Sequence, residues 1–107
     1  MNYLRTSTYS EQKDITKMEK SFIEQIALKF FNVADNPSEW YAGQTKDLES
    51  SLVKKKAFGS YYTSINMDEK KYAAYLKSLL VRKYGFEGNA GGNSTDDSTI
   101  VYIYKKS

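Results

Sequence analysis

The sequence has no cysteine and no histidine among its 107 residues. This excludes disulfides, Cys/His zinc sites, iron–sulfur clusters, catalytic cysteines and every histidine-based triad or general base. Long hydrophobic runs are also missing, since the longest aliphatic run is Leu79-Leu80-Val81. The first residues contain no apolar stretch of the kind found in signal peptides. We therefore expect a cytoplasmic protein that is neither secreted nor inserted into a membrane.

The length and the charge predict one domain with a basic second half. A chain of 107 residues can bury a hydrophobic core without disulfides or metals. Residues 1 to 53 hold 6 basic and 8 acidic side chains, whereas residues 54 to 107 hold 10 and 5, so the halves carry −2 and +5. This asymmetry favours a polyanionic partner.

The first predicted element is an amphipathic helix from Ser10 to Ala34. Its apolar residues recur at spacings of three and four: Ile15, Met18, Phe22, Ile26, Phe30 and Val33. Thr16 and Glu19 form a capping-box pattern. Pro37 disfavours helical geometry at the residue before it, so the helix should end at Asp35-Asn36-Pro37.

Two further helices and a strand are predicted after Pro37. Residues 39–43 indicate a short strand with Trp40 as a core anchor, and Thr45 can cap a helix that buries Leu48 and Leu52. Residues 57–65 fit a loop or a helical turn equally well. Asn66 with Glu69 then predicts a helix to about Tyr84, ended by a left-handed Gly85.

The C-terminal part predicts a β-hairpin. Residues 99–106 are β-branched or aromatic apart from the terminal lysines, which is typical of a strand. Phe86-Glu87 is the nearest extended piece, so residues 88–98, rich in Gly, Asn, Ser and Asp, should form the tip of a hairpin.

No pattern in the sequence indicates catalysis, a cofactor or a metal. The glycines at 88, 91 and 92 lack the following lysine of a phosphate-binding loop and precede a strand. Asp68-Glu69 and Asp96-Asp97 lack the spacing of a calcium loop. Without His or Cys, an active site would need Asp, Glu, Lys or Tyr throughout, and no spacing suggests one, so we expect no enzyme.

Tyrosine is the residue in excess, with 10 among 16 aromatic residues. Half-buried positions in strands account for many tyrosines in small domains. Tyr61, Tyr62 and Tyr75 lie close in sequence to lysine clusters, so they are also candidates for stacking on nucleic-acid bases.

The order of the predicted elements is that of a winged-helix domain. The segments Trp40-Tyr41-Ala42-Gly43, Thr45 with Leu48 and Leu52, Tyr84 to Glu87, and Ile100 to Ile103 resemble winged-helix modules of phage and mobile-element replication proteins. The chain is also similar to small winged-helix partners of primase-polymerases on staphylococcal cassette elements. The resemblance implies an α+β winged helix-turn-helix, with a three-helix core and a C-terminal hairpin wing. Residues 1–36 would pack as a helix on this core, and residues 37–107 would form the core and wing of the same compact domain.

The leading hypothesis is a non-enzymatic, nucleic-acid-binding accessory protein for mobile-element or phage DNA replication. Either single- or double-stranded DNA fits it. Its third helix would present the stripe Lys71, Tyr75, Ser78 and Arg82 to DNA. The complete set of predicted nucleic-acid contacts is Lys54, Lys55, Lys56, Lys70, Lys71, Tyr75, Lys77, Ser78, Arg82, Lys105 and Lys106.

Two alternatives stay open at the level of sequence. The chain could be a protein-binding module, either a subunit that docks on a polymerase or primase or an inhibitor of a host or phage enzyme. Its partner face would then be Phe22, Ile23, Phe30 and Phe31, which also suit a homodimer. A winged-helix transcriptional regulator is the other alternative.

Overall fold

The computed structural model describes residues 15–55, 61–88 and 98–106. These residues form an α+β fold with three α-helices and one antiparallel sheet of three strands. The predicted start of the first helix at residues 10–14, Lys56, residues 57–60 and the hairpin tip at 89–97 lie outside the described residues.

Helix α1 spans Lys17–Ala34 and begins with the predicted capping box. The Glu19 amide donates to Thr16 Oγ1 at 3.1 Å, and the Thr16 amide donates to Glu19 Oε1 at 2.9 Å. The helix ends at Ala34, before a short 3₁₀ turn at Pro37–Glu39. The predicted end is confirmed, and it agrees with the loss of helical geometry before a proline. The described helix begins at the capping box, after the Ser10 start of the predicted helix.

Strand β1 spans Trp40–Thr45 and helix α2 spans Leu48–Lys54. The predicted cap of α2 was wrong. Asp47, not Thr45, is the cap, because its carboxylate accepts the Ser50 amide at 3.2 Å while Thr45 is still paired in the strand.

Helix α3 spans Lys70–Ser78 and continues as a π-helical turn, Leu79–Lys83. Gly85 follows with φ of +83°, as predicted for the residue that ends this helix. Glu69 holds the cap position, whereas Asn66 accepts the Asp68 amide at 2.9 Å and so closes a local turn before the helix.

The pairing of the strands differs from the predicted hairpin. Strand β2 is Tyr62–Asn66. It overlaps residues 62–65 of the segment that the sequence left open between a loop and a helical turn, and it ends at Asn66, the predicted cap of the third helix. Strand β3, Ile100–Lys105, lies between β1 and β2 and is antiparallel to both. The hairpin between residues 86–87 and 99–106 was therefore wrong. Glu87 instead runs parallel to β1, where its amide donates to the Trp40 carbonyl at 3.0 Å.

The sheet separates two apolar clusters. On one face, α1 and α3 cover Trp40, Ala42, Val101 and Ile103, and this cluster also contains Leu76 and Leu80. The predicted role of Trp40 as a core anchor is confirmed, since its side chain is buried there. On the other face, Leu52 of α2 packs on Tyr102. Alternation along the strands sends Val101 and Ile103 to the first face and Tyr102 to the second.

Candidate nucleic-acid interface

The basic stripe predicted on α3 lies partly against α1. The Tyr75 hydroxyl donates to Glu24 Oε2 at 3.4 Å, and burial is the main reason that the pKa of Tyr75 is raised. Lys71 Nζ lies 3.8 Å from Glu69 Oε1 and 5.3 Å from the centre of the Tyr72 ring. Arg82 is exposed on the π-helical turn. The stripe is therefore a mixed surface, in which Tyr75 holds two helices together.

Ser78 of the stripe and the two lysines that flank it are also less exposed than the sequence pattern predicts. Lys70 and Ser78 are half-buried, and Lys77 is only 7% exposed. The helical period explains the burial of Lys77, since it lies four residues after Ala73 and three before Leu80, and both of these face the core. A lysine at such a position packs its stem along apolar neighbours.

The remaining predicted basic residues lie at the ends of α2 and β3. Lys54 and Lys55 are exposed at the C-terminal end of α2, where cations also suit the helix dipole. Lys105 is exposed at the end of β3. Lys106 Nζ lies 2.6 Å from Glu87 Oε1, so this lysine is paired with a carboxylate.

A row of three tyrosines crosses the sheet on the face that carries α2. In the strand pairing, Tyr104 of the central strand lies opposite Tyr41 on one side and Tyr62 on the other. Paired residues of neighbouring strands point to the same face of a sheet. We call Tyr41, Tyr104 and Tyr62 the tyrosine row. The rings of Tyr41 and Tyr104 lie 5.4 Å apart and are tilted by 36°.

Lys55 joins the tyrosine row from the end of α2. Its Nζ lies 4.5 Å from the centre of the Tyr41 ring and donates to the Tyr41 hydroxyl at 3.2 Å. This places a positive charge at one end of a series of aromatic rings. Tyr62, at the other end, is 51% exposed, and Tyr41 and Tyr104 are half-buried.

The next level of the same face is closed by packing. Here Tyr102 lies between Gly43 and Ser64, and a Cβ atom on Gly43 would lie 2.4 Å from the Tyr102 ring. Glycine is therefore required for the ring to lie across β1. Burial raises the pKa of Tyr102 to about 12, with smaller contributions from the neighbouring Tyr41 and Tyr104. Burial is also the main cause of the raised pKa of Tyr104.

The predicted partner face on α1 is mostly turned inward. Ile23 and Phe30 are buried in the core, and the Phe31 ring packs 5.0 Å from the Tyr84 ring. Phe22 is the exception, at 66% exposed, with Met18 beside it at 82%. Three of the four predicted contacts therefore pack in or against the core. The buried face of α1 consists of Ile23 and Phe30 together with Ala27 and Ala34.

An apolar groove lies beside Met18 and Phe22, between α1 and the end of β2. Its volume is about 420 Å³. Apolar side chains from both elements line it, together with polar residues at the rim: Met18, Phe22, Ile23, Ile26, Ile65 and Met67, with Glu19, Asn66, Asp68 and Tyr72. Tyr72 donates a hydrogen bond to Glu19 Oε2, which ties α3 to α1 at this rim.

In the part of the chain that the structure describes, no helix is both long enough and apolar enough to cross a membrane. Within those same ranges, no three acidic side chains come together in a way that could hold a metal ion.

The sequence pointed to part of the tyrosine row. The sequence predicts Tyr62 as a candidate for base stacking because it lies near the lysines at 54–56, whereas Tyr41 and Tyr104 are not among the predicted contacts. Only the pairing of β3 with both neighbours brings these three residues to one level. The alternation of tyrosines in Tyr102-Ile103-Tyr104 was the one local signal for a tyrosine-bearing face.

No known protein family, curated protein or solved structure matches this chain.

Proposed function

We propose that this chain is a non-enzymatic, nucleic-acid-binding accessory protein that assists the replication of mobile-element or phage DNA. The observation that carries the proposal is the tyrosine row with the Lys55 amine at its end. Aromatic rings offer faces to bases, and a lysine amine beside them offers a partner to phosphate. Both chemistries are needed for affinity, and this face of the sheet combines them.

A winged-helix-like fold belongs to the same proposal. The order of α1, β1 and α2 and the presence of a three-stranded antiparallel sheet support it. In this arrangement β2, which precedes α3 in the chain, pairs with β3 in place of the expected strand at 86–87. The replication role rests on the resemblance of the sequence segments to replication modules, and the nucleic-acid role rests on the sheet face.

The charge of the second half of the chain supports a polyanionic partner. Its net charge is +5, and Lys54, Lys55 and Arg82 are exposed within it. Each lysine that contacts a phosphate releases a counterion, so the affinity should fall as salt rises.

The test is a titration of the protein with labelled single- and double-stranded oligonucleotides of mixed sequence, followed by fluorescence anisotropy at low and moderate salt. We expect salt-sensitive binding that is weakened in the double variant Lys54→Gln/Lys55→Gln. Its salt slope should fall by about 2, one for each lost phosphate contact. The matched control is Lys17→Gln/Lys29→Gln, which removes two exposed lysines of α1.

Two results would contradict the proposal. One is the absence of binding to either form at tens of micromolar protein, inside the usual non-specific range of about 10⁻⁴ to 10⁻⁶ M. The other is an equal loss of binding in both double variants, which would indicate net charge alone. Lys71→Glu with Arg82→Glu tests the α3 surface separately. Unchanged binding in that variant removes α3 from the interface.

The protein-binding alternative is favoured by a different observation. Met18 and Phe22 are exposed next to the apolar groove, and exposed large apolar side chains at a groove are typical of docking surfaces. Light scattering over a range of concentrations tests the homodimer version, which a constant monomer mass would contradict. If the unchanged protein is a dimer, the double variant Met18→Ser/Phe22→Ser should have the monomer mass. Unchanged nucleic-acid binding in that variant would separate this surface from the sheet face.

A further inference from the structure

The tyrosine row has the layout of a stacking platform. Its members come from three neighbouring strands at one level of the pairing, and the rings of Tyr41 and Tyr104 lie 5.4 Å apart. Neighbouring strands are about 4.8 Å apart. A series of rings at such intervals can receive successive bases of one extended strand, one base to a ring.

The level of the sheet face that holds Tyr102 is closed, whereas the level of the tyrosine row is open on the β2 side. Helix α2 packs its Leu52 on Tyr102, which closes the level next to the row. At the level of the tyrosine row, the side chain on β2 is the most exposed of the three, since Tyr62 is half exposed to solvent. A ligand can therefore reach the row from the side of β2 and run toward β1.

The charge at the far end of the row matches a nucleic-acid backbone. Lys55 holds its amine over the Tyr41 ring, and Lys54 is exposed one residue earlier. The lysine stem is flexible, so the amine can move from the ring to a phosphate when a base approaches Tyr41. The cation and the ring thus serve neighbouring parts of one nucleotide.

We propose that the tyrosine row binds single-stranded nucleic acid, with consecutive bases on the rings of Tyr62, Tyr104 and Tyr41 and the backbone passing Lys55. This inference rests on the proposed function and narrows it to one form of nucleic acid. In a duplex the base faces are already stacked on each other, so only a single strand can offer them to the rings. The sugar is left open, because ring stacking does not require a 2′-hydroxyl.

The experiment compares the full chain with Tyr62→Leu and Tyr104→Leu in binding to 12-nucleotide dT and U strands and to a 12-base-pair duplex. Loss of one base stack should weaken single-strand binding by roughly 5- to 150-fold, as 1–3 kcal/mol per stacked base implies. Duplex binding should change by less than twofold. Binding of either the dT or the U strand supports the proposal, and the stronger one identifies the sugar.

Two controls separate stacking from folding and from general aromatic contact. Tyr62→Phe keeps a ring at the exposed edge and should bind as the unchanged protein does. Tyr61→Leu removes an even more exposed tyrosine, one residue outside the strand and off the row by the alternation of faces. It should also leave single-strand binding unchanged. Circular dichroism of each variant verifies that the fold is retained. Because Tyr62 is exposed, its substitution should disturb the fold least.

The outcomes distinguish this inference from the proposed function. If Tyr62→Leu and the folded Tyr104→Leu bind single strands as tightly as the unchanged protein, the stacking platform is wrong. The same conclusion follows if they lose duplex and single-strand binding equally. In either case a salt-sensitive interaction that depends on Lys54 and Lys55 would still uphold the proposed function. Absence of binding to every nucleic acid would remove both.

Discussion

Asp35 is a residue whose backbone the fold holds under strain. Its φ and ψ are +66° and −58°, and the Asn36 amide donates to the Ala34 carbonyl at 2.6 Å across it, which makes a tight three-residue turn. Such backbone costs of order 1–3 kcal/mol for a residue with a side chain. Its carboxylate also lies at the negative end of the α1 dipole. We expect Asp35→Gly to raise the free energy of unfolding by about 1 kcal/mol, measured by urea denaturation.

The same substitution at Asp47 provides the control for this prediction. Asp47 has an ordinary φ of −139° and caps α2 through the Ser50 amide. Asp47→Gly should therefore lower stability by about a few tenths of a kcal/mol. If Asp35→Gly destabilises the protein as Asp47→Gly does, the strained turn at Asp35 is refuted.

The hydrogen bond between Tyr72 and Glu19 should make stability depend on pH at both ends of the scale. Tyr72 is the largest cause of the lowered pKa of Glu19, and Glu19 raises the pKa of Tyr72 to about 12. A lowered carboxyl pKa stabilises the fold above the unfolded value of 4.5, and this is lost as the pH falls through the folded pKa. A raised tyrosine pKa stabilises the fold below its unfolded value of 10, and this is lost as the pH rises toward 12.

Tyr72→Phe tests this pair because it keeps the ring but removes the hydroxyl, and with it the raised tyrosine pKa and the largest cause of the lowered pKa of Glu19. The unfolding midpoint of the variant should be lower than that of the unchanged protein between about pH 5 and 10. The difference should shrink as the pH falls below 4.5 through the lowered pKa of Glu19, and again as the pH rises from 10 toward 12. Thermal melts across the pH range measure it, with Tyr84→Phe as a control for removing a half-buried hydroxyl elsewhere. A constant difference at every pH would contradict the linkage.

At the scale of elements, the contact of β1 with β3 depends on Gly43. Because a Cβ at this position would lie 2.4 Å from the buried Tyr102 ring, Gly43→Ala must push the ring or the strand aside. Overpacking of this kind costs about 1–3 kcal/mol. Tyr102→Leu shortens the side chain and should reduce the cost of Gly43→Ala. A double-mutant cycle by urea unfolding gives the coupling, and purely additive effects would contradict the close approach.

Sequence patterns predicted most elements because each depends on neighbours in the chain. The capping box and Pro37 determined both ends of α1, and the β-branched run determined β3. The buried face of α1 was misplaced, since Met18 and Phe22 are exposed while Ala27 and Ala34 are buried. Alanine is too small to dominate an apolar pattern, yet Ala27 and Ala34 are buried in the same cluster as Ala73 of α3. The spacing of apolar residues along one helix does not show which small side chains pack against the neighbouring helix.

Strand β2 shows why pairing between distant segments limits prediction. Tyr62–Asn66 contains the strand-forming residues Tyr62 and Ile65, but two adjacent polar residues separate them, so the local pattern also fits a loop. Residues 62–66 form a strand because they pair with β3, in a register that places Ile65 opposite Val101. The tyrosine row has the same origin, because Tyr41 and Tyr62 meet only by way of Tyr104.

At the scale of the whole molecule, β3 connects the two apolar clusters and should make them unfold together. Val101 and Ile103 face one cluster and Tyr102 faces the other, so if β3 unfolds, both clusters lose residues at once.

Leu52→Ala removes buried contacts from the cluster on the α2 side and should lower the free energy of unfolding by about 2–5 kcal/mol. Trp40 lies in the opposite cluster, and its fluorescence should report the same lowered midpoint as far-ultraviolet circular dichroism. Val53→Ala, at the exposed neighbouring position, should change stability by less than about 0.5 kcal/mol. If Leu52→Ala lowers the circular-dichroism midpoint while the Trp40 transition stays in place, the clusters are independent and β3 does not couple them.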